Sequence, residues 1–345
     1  MSRGGEEDRV RLPRETLALF GHAQAEQALL TSYQSGRVPH AWLIGGEPGI
    51  GKATLAYRFS RFVLAYPDPA AADVQSATSL AVDPEHPVAR RVAAQAQGDL
   101  LALERVVNEQ TGKLYTVIRV EDVRRCVPFF GSTAGEGGWR VAIVDTADEL
   151  QYPQGSNALL KVLEEPPPRA LLLLVSHAPG RLLPTIRSRC RRLALRPLDE
   201  ADVARALAAA SGHDADEAEV QEAASAADGS VARALTLLDE DARALRRRVL
   251  ELIAQLPDPD PRALHALGEA LGGSDPRTLH AFMDLVNGWL SQRLGEADEA
   301  MPQAHRAAKA WDTINRAARE VETYNLERKP FAFAVFGALA EAARG

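Results

Sequence analysis

The sequence predicts an α/β fold: a five-stranded parallel sheet with flanking helices, then a small helical lid, then an all-helical C-terminal domain. Three observations carry this reading. Short apolar runs alternate with helix-spaced segments through residues 17–197, the pattern of buried parallel strands and their crossover helices. The first of those runs leads straight into a glycine-rich loop that opens a helix. Beyond Pro197 the strand-like runs stop and helical spacing takes over.

Residues 1–16 are polar and charged and read as a flexible tail. A helix is expected over 22–35 and a short apolar strand over 41–44. Residues 52–65 place Leu55, Phe59 and Val63 on one helical face. The Ala-, Asp- and Pro-rich stretch 67–97 reads as an insertion. A second strand is expected over 99–103, a helix over 120–129, and a third strand over 141–144 that ends in Asp145. The helix over 155–163 is closed by Pro166, Pro167 and Pro168, which cannot continue it. Strands over 171–175 and 192–195 complete the sheet. Three short helices over 201–210, 218–227 and 230–238 make a lid, 198–242. The remainder, 243–345, is helical with breaks at 257–261 and 272–276.

Composition narrows the function. The chain has 345 residues, 46% hydrophobic and 25% charged, the balance of a globular protein of two or three domains. Lys plus Arg number 40 against 47 Asp plus Glu, a net charge of −7. A surface devoted to gripping DNA phosphates is strongly basic, so that role is disfavoured except through a local patch. Two cysteines, Cys126 and Cys190, make neither a disulfide framework nor a paired metal-ligand spacing. The N-terminal stretch lacks the apolar segment of a secretory signal, and no apolar run is long enough to span a bilayer. The expectation is a cytoplasmic protein that does not engage a membrane.

The glycine-rich loop, Gly46-Glu47-Pro48-Gly49-Ile50-Gly51-Lys52, fits G-x-x-x-x-G-K. Glycines let backbone N–H groups turn inward as an anion nest, and the helix N-terminus adds partial positive charge. Gly46, Gly49, Gly51, Lys52 and Thr54 are therefore candidate nucleotide-binding residues. Lys52 would reach the β- and γ-phosphates. The position after the lysine should offer a hydroxyl to magnesium, and it is Ala53. Thr54 lies one helical step on, rotated by about 100°, and does not substitute as that ligand. Asp145, at the end of its strand, stands where a carboxylate would hold hydrated magnesium. The next residue, Thr146, cannot act as a base near neutral pH, and Asp148 and Glu149 lie too far along the turn to be equivalent. Ser176 ends the fourth strand, where a polar residue would meet a γ-phosphate.

The string from Ser156 to Pro167, SNALLKVLEEPP, closely resembles a signature of bacterial clamp-loader subunits, which are AAA+ proteins. Thr185-Ile186-Arg187-Ser188-Arg189-Cys190 resembles the S-R-C motif of the same family, which carries its arginine finger. Gly36-Arg37-Val38-Pro39-His40-Ala41 and Phe20-Gly21-His22 resemble its entry to the first strand and the start of its ATPase domain. All stand in family order over residues 17–197. The resemblance implies an AAA+ module with an ATP or ADP site, and Arg189 as a finger acting in trans. It further implies a hetero-pentamer with gamma/tau motor subunits and a delta subunit, joined through a C-terminal collar. Through that complex the chain would meet the sliding clamp and primed DNA in the replisome. Three departures matter. Ala53 and Thr146 replace groups that motor subunits keep, and Gly229-Ser230-Val231-Ala232 resembles the G-S-x-R sensor with alanine at the arginine position. Arg233 comes one residue late. That pattern is similar to the delta-prime branch of the family, which implies a subunit that does not hydrolyse ATP itself. The rival readings are an active motor-type loader ATPase and a AAA+ helicase or repair motor. The second would want basic or aromatic pore loops, which the sequence lacks. Relatives carry a four-cysteine zinc module where this chain has 67–97, which offers only His86, so no zinc is expected.

Overall fold

The five expected strands form as β1 (Ala41–Gly45), β2 (Leu100–Leu103), β3 (Arg140–Val144), β4 (Ala170–Ser176) and β5 (Arg191–Ala194). They pair in the order β2-β3-β4-β1-β5, all parallel. The computed structural model describes residues 11–108, 114–131, 138–238, 240–272, 276–296, 302–324 and 326–344. They fall into two units, Met1–Leu235 and Thr236–Gly345.

Strand alternation builds two cores from one sheet. Trp42, Ile44, Val141, Ile143, Leu171, Leu173 and Val175 face one side and pack with α1 (Ala23–Gln34) and α2 (Lys52–Ala65). Leu43, Ala142, Val144, Leu172 and Leu174 face the other and pack with α5 (Val120–Arg124), α6 (Cys126–Gly131), α7 (Gln154–Glu164) and α8 (Pro184–Arg189). Every residue of β4 is buried, which explains its unbroken apolar run. In register, Gly45 lies opposite Ser176 and Val144 opposite Leu174, so the carboxyl ends of β1, β3 and β4 finish side by side. Ligands of open α/β sheets bind at that edge.

Four local features depart from the sequence reading. The stretch 67–97 is no separate insertion. It forms α3 (Ala72–Ser76) and α4 (Pro87–Ala93), and Val74, Leu80, Val88 and Val92 enter the same core as α2. Residues 1–10 lie outside the described residues, but 11–16 are not a loose tail. The buried Arg61 guanidinium donates to Arg14 O at 3.1 Å and to Thr16 O, and Arg58 donates to Leu17 O. The helix expected over 120–129 breaks at Arg125 into α5 and α6. Pro128 has no N–H for the carbonyl of Arg124, so the first helix ends and a second starts with Pro128 in its first turn. Finally α8 had no counterpart in the expected elements. Pro184 sits at its first position, where proline is well suited.

The lid segment forms α9 (Glu200–Ser211), α10 (Ala218–Ser225) and α11 (Val231–Leu238). Asp199 caps α9 by accepting from Asp202 N at 2.8 Å, and Gly212 ends it with φ 79°. The C-terminal unit holds α12 (Glu240–Ala254), α13 (Pro261–Leu271), α14 (Pro276–Glu296), α15 (Pro302–Tyr324) and α16 (Arg328–Ala343). Phe282, Val286, Leu290, Phe331 and Phe336 centre its core, with Trp289 and Trp311 packed at the margin as anchors. Asn287 and Asn315 exchange amide hydrogen bonds of 3.3 and 3.0 Å between α14 and α15, which fixes their register. Among the described residues no helix is long and apolar enough to cross a membrane.

Candidate nucleotide site and the Arg189 helix

The turn from β1 into α2 has the shape that its glycines require. Gly46, Gly49 and Gly51 all carry positive φ, and Gly51 sits at the N-cap of α2 with φ 95°. Gly49, at φ 76°, has no room for a side chain: a Cβ there would stand 2.2 Å from Ser230 Oγ and 2.7 Å from Ala232 Cβ. His22, just before α1, braces the loop with its Nε2 2.7 Å from Ile50 O.

Lys52 is buried, and its ammonium donates to Glu47 O. Burial brings its pKa down to about 8, against the raising effect of Asp145, Asp148 and Glu47. The side chain thus stays mostly charged at neutral pH and is turned back on its own loop. Asp145 closes β3, and burial first, then Glu104, pushes its carboxyl above the ordinary carboxylate range while Lys52 opposes.

A cavity of about 430 Å³ joins these pieces. Its polar wall is Gly49, Gly51, Lys52, Thr54, Asp145 and His177. Its apolar wall comes from Leu12, Leu19 and Phe20 and from the lid residues Leu198, Ala206, Val231 and Leu235. An anion nest beside an apolar recess of this size suits a nucleoside phosphate. Ala53 lines the cavity with a methyl group where a magnesium-binding hydroxyl would stand, so the residues present fit the phosphates and leave the metal site incomplete. Among the described residues no group of three His, Cys, Asp or Glu is placed to hold a metal ion. A wider depression of about 540 Å³, bounded by Arg124, Val127, Pro128 and Lys161, lies away from the loop and has no such nest.

One expected site residue, Ser176, departs from its expected place, while Asp148 and Ala232, which were not expected to serve the site, have other partners. Ser176 is fully buried, and its hydroxyl donates to Asp148 Oδ1 at 3.0 Å, so it does not line the cavity. Asp148 is no stand-in base: it also accepts from His177 N at 2.6 Å and Ala178 N at 3.1 Å, tying the turn after β3 to the end of β4. Ala232, at the sensor-arginine position, lies over the loop instead. Its N–H donates to Gly49 O at 3.3 Å, and Ser230 Oγ donates to Pro48 O at 3.0 Å. Arg233 turns away to pair with Asp228. Sequence reasoning missed the lid latch and His177; the only signal for the histidine was its place immediately after a strand-end residue.

Arg189 is the last residue of α8. Ile186 and Cys190, both buried in the second core, anchor that helix and lead the chain into β5. Burial pushes the Cys190 thiol up to about 12, which leaves it an inert packing group. The Arg189 guanidinium is about one-third exposed, with Nη2 3.1 Å from Glu164 Oε1 and Nη1 donating to Thr185 O at 3.0 Å. Glu164 belongs to the SNALLKVLEEPP string, so the two family strings meet in space through this ion pair.

A P-loop at the end of β1, an acidic strand end at β3, the strand order β2-β3-β4-β1-β5 and a helical lid define an AAA+ type nucleotide module. The sequence profile of the family described as "DNA polymerase III, delta subunit" matches residues 21–199, and the chain belongs to that family as a clamp-loader protein of the delta-prime type. DNA polymerase III subunit delta' of Pseudomonas aeruginosa is 34% identical over 232 residues, 67% of this chain and 66% of that protein. The subunit of the same name from Escherichia coli K12 is 32% identical over 180 residues, 50% and 47% of the two chains. DNA polymerase III subunit tau/gamma of Haemophilus influenzae is 26% identical over 300 residues, 84% of this chain and 41% of that one. The matches thus span less than two thirds of each of these relatives.

Proposed function

We propose that this chain is a non-hydrolysing subunit of a DNA polymerase III clamp loader, which presents Arg189 in trans to ATP held by a neighbouring gamma/tau-type motor subunit. The observation that carries this reading is a contrast within one unit. Ala53, Thr146 and Ala232 leave the cavity without the metal ligand, the base and the sensor cation, while Arg189 remains accessible at the end of α8. Phosphoryl transfer depends on metal positioning and charge stabilisation, so the loss of all three removes turnover and not the phosphate nest. ATP or ADP held there would be structural.

By the same reading, residues 17–197 are the ATPase-like module, 198–242 the lid and 243–345 the collar that joins motor and delta subunits in a hetero-pentamer. The sliding clamp and primed DNA are then reached through the assembly, in keeping with a net charge of −7. Mixing the purified chain with gamma/tau and delta subunits tests this by size-exclusion chromatography. The full chain is expected to enter a stoichiometric complex. A version lacking 243–345 is expected to stay folded and elute alone. Normal assembly of the truncated chain would remove the collar assignment.

A further inference from the structure

We propose that the open edge of β5 is a docking site for an extended acidic peptide of a partner protein, which adds to the sheet as a further strand beside Arg192 and Arg196. The inference does not rest on the reading of the cavity.

The backbone comes first. β5 stands last in the order β2-β3-β4-β1-β5, so only one of its sides is paired. Along a strand the N–H and C=O of one residue point the same way, and those of the next residue point the opposite way. Leu195 N donates to Gly45 O at 2.8 Å, which turns Arg191, Leu193 and Leu195 toward β1 and leaves Arg192 and Ala194 facing outward. Both outward residues are exposed, and among the described residues no hydrogen bond reaches their N–H or C=O. An extended chain meets such a row with complementary donors and acceptors, which is how peptides add to a sheet edge.

Side chains narrow the partner. Residues 181–196 contain six arginines and no Asp or Glu, in a chain of net charge −7. Among the described residues only Arg189 of the six is held in an ion pair, with Glu164. Arg191 lies over the Trp42 ring, 4.9 Å from its centroid. Arg192 pairs in register with Leu43 and so stands with Ala194 on the α8 face of the sheet. Arg196 is exposed just past the strand, where Pro197 ends the edge. These guanidinium groups repel a second copy of the same edge, since charge is how natural sheets guard their edges. The same groups attract a strand that carries carboxylates opposite them. By the two-residue alternation Arg192, Ala194 and Arg196 share a face, so the fitting peptide has acids at its first and fifth positions and a small or apolar residue at its third. A phosphodiester backbone has no N–H for the outward carbonyls, which favours a polypeptide over a nucleic acid.

The test is fluorescence anisotropy of a labelled peptide, Gly-Glu-Thr-Val-Thr-Glu-Gly, titrated with the purified full-length chain at low salt. Wild type is expected to bind, and to bind more weakly as salt rises. The double variant Arg192→Glu with Arg196→Glu is expected to lose about tenfold or more in affinity. A peptide with lysines in place of its glutamates is expected to prefer that double variant, a reversal that misfolding cannot produce. N-methylation of every peptide amide keeps the charge and removes the N–H donors, and is expected to abolish binding. On binding, hydrogen exchange should slow at the amides of Arg192 and Ala194, while that of Leu195 is already bonded to β1. No binding of the acidic peptide by wild type overturns the proposal and leaves the arginines as guards of the edge. Equal binding of the N-methylated peptide, or unchanged exchange at Arg192 and Ala194, overturns strand addition. Tighter binding of a single-stranded oligonucleotide of equal charge, lost in the same double variant, makes the patch a nucleic-acid site and overturns the proposal as well.

Discussion

Arg189→Ala should leave the isolated chain folded and remove most hydrolysis at one neighbouring nucleotide site of the assembled loader. The folded-state partners of Arg189 are Glu164 Oε1 at 3.1 Å and Thr185 O at 3.0 Å, and the side chains of the ion pair are 35% and 49% exposed. A pair so exposed contributes about 0–1 kcal/mol, so the melting temperature of the isolated chain should barely move. In trans the same guanidinium stabilises charge developing on the transferring phosphoryl oxygens, which in related hydrolases is worth about 10³–10⁵ in rate. Arg189→Lys should not restore it, because a compact ammonium lacks the planar fork of donors. The measurement is DNA- and clamp-stimulated ATPase of the complex beside thermal melting of the same variant alone. A lowered melting temperature with normal complex ATPase would mean that Arg189 serves only its bond to Glu164.

The second large effect is expected at Gly49. Its φ of 76° costs a residue with a Cβ about 1–2 kcal/mol. The added methyl would also stand 2.2 Å from Ser230 Oγ and 2.7 Å from Ala232 Cβ, an overpacking worth about 1–3 kcal/mol more. To make room, the lid must lift from the loop, breaking the Ser230–Pro48 and Ala232–Gly49 hydrogen bonds. Gly49→Ala should therefore lower stability to denaturant by about 2–5 kcal/mol. Gly98→Ala is the control, since nothing lies within 4 Å of its Cβ position and its φ is not positive. Equal stability of the two variants would mean that the lid is not latched on the loop.

Strands β1, β3 and β4 were legible because each is a short apolar run bounded by turns, as a buried parallel strand needs, whereas the edge strand β5, Arg-Arg-Leu-Ala and largely exposed, had a weaker signal. Helix α2 was legible because Leu55, Phe59 and Val63 repeat at helical spacing behind an unmistakable loop. Helix α8 was hidden by its length: six residues give one turn and a half, too few to display a period, and Ile186 is its only buried residue. The stretch 67–97 misled through its composition, since Ala, Asp and Pro outnumber the few apolar residues that tie it to the core. The P-loop and the missing catalytic groups could be read because each depends on residue identity at a fixed spacing. Ser176 and His177 could not be told apart that way. Which of two adjacent polar residues faces the cavity depends on Asp148, a residue 28 positions away in the chain from Ser176. The Glu164–Arg189 pair is likewise a meeting of two strings that sequence order keeps apart.

The most direct test of the account is ATP turnover by the purified chain in magnesium, without partner subunits. With Ala53 and Thr146 in place, turnover is expected to lie far below the ordinary enzymatic scale of about 1 per second. Turnover at that scale, abolished by Lys52→Ala, would contradict a non-hydrolysing subunit and make the chain a motor in its own right.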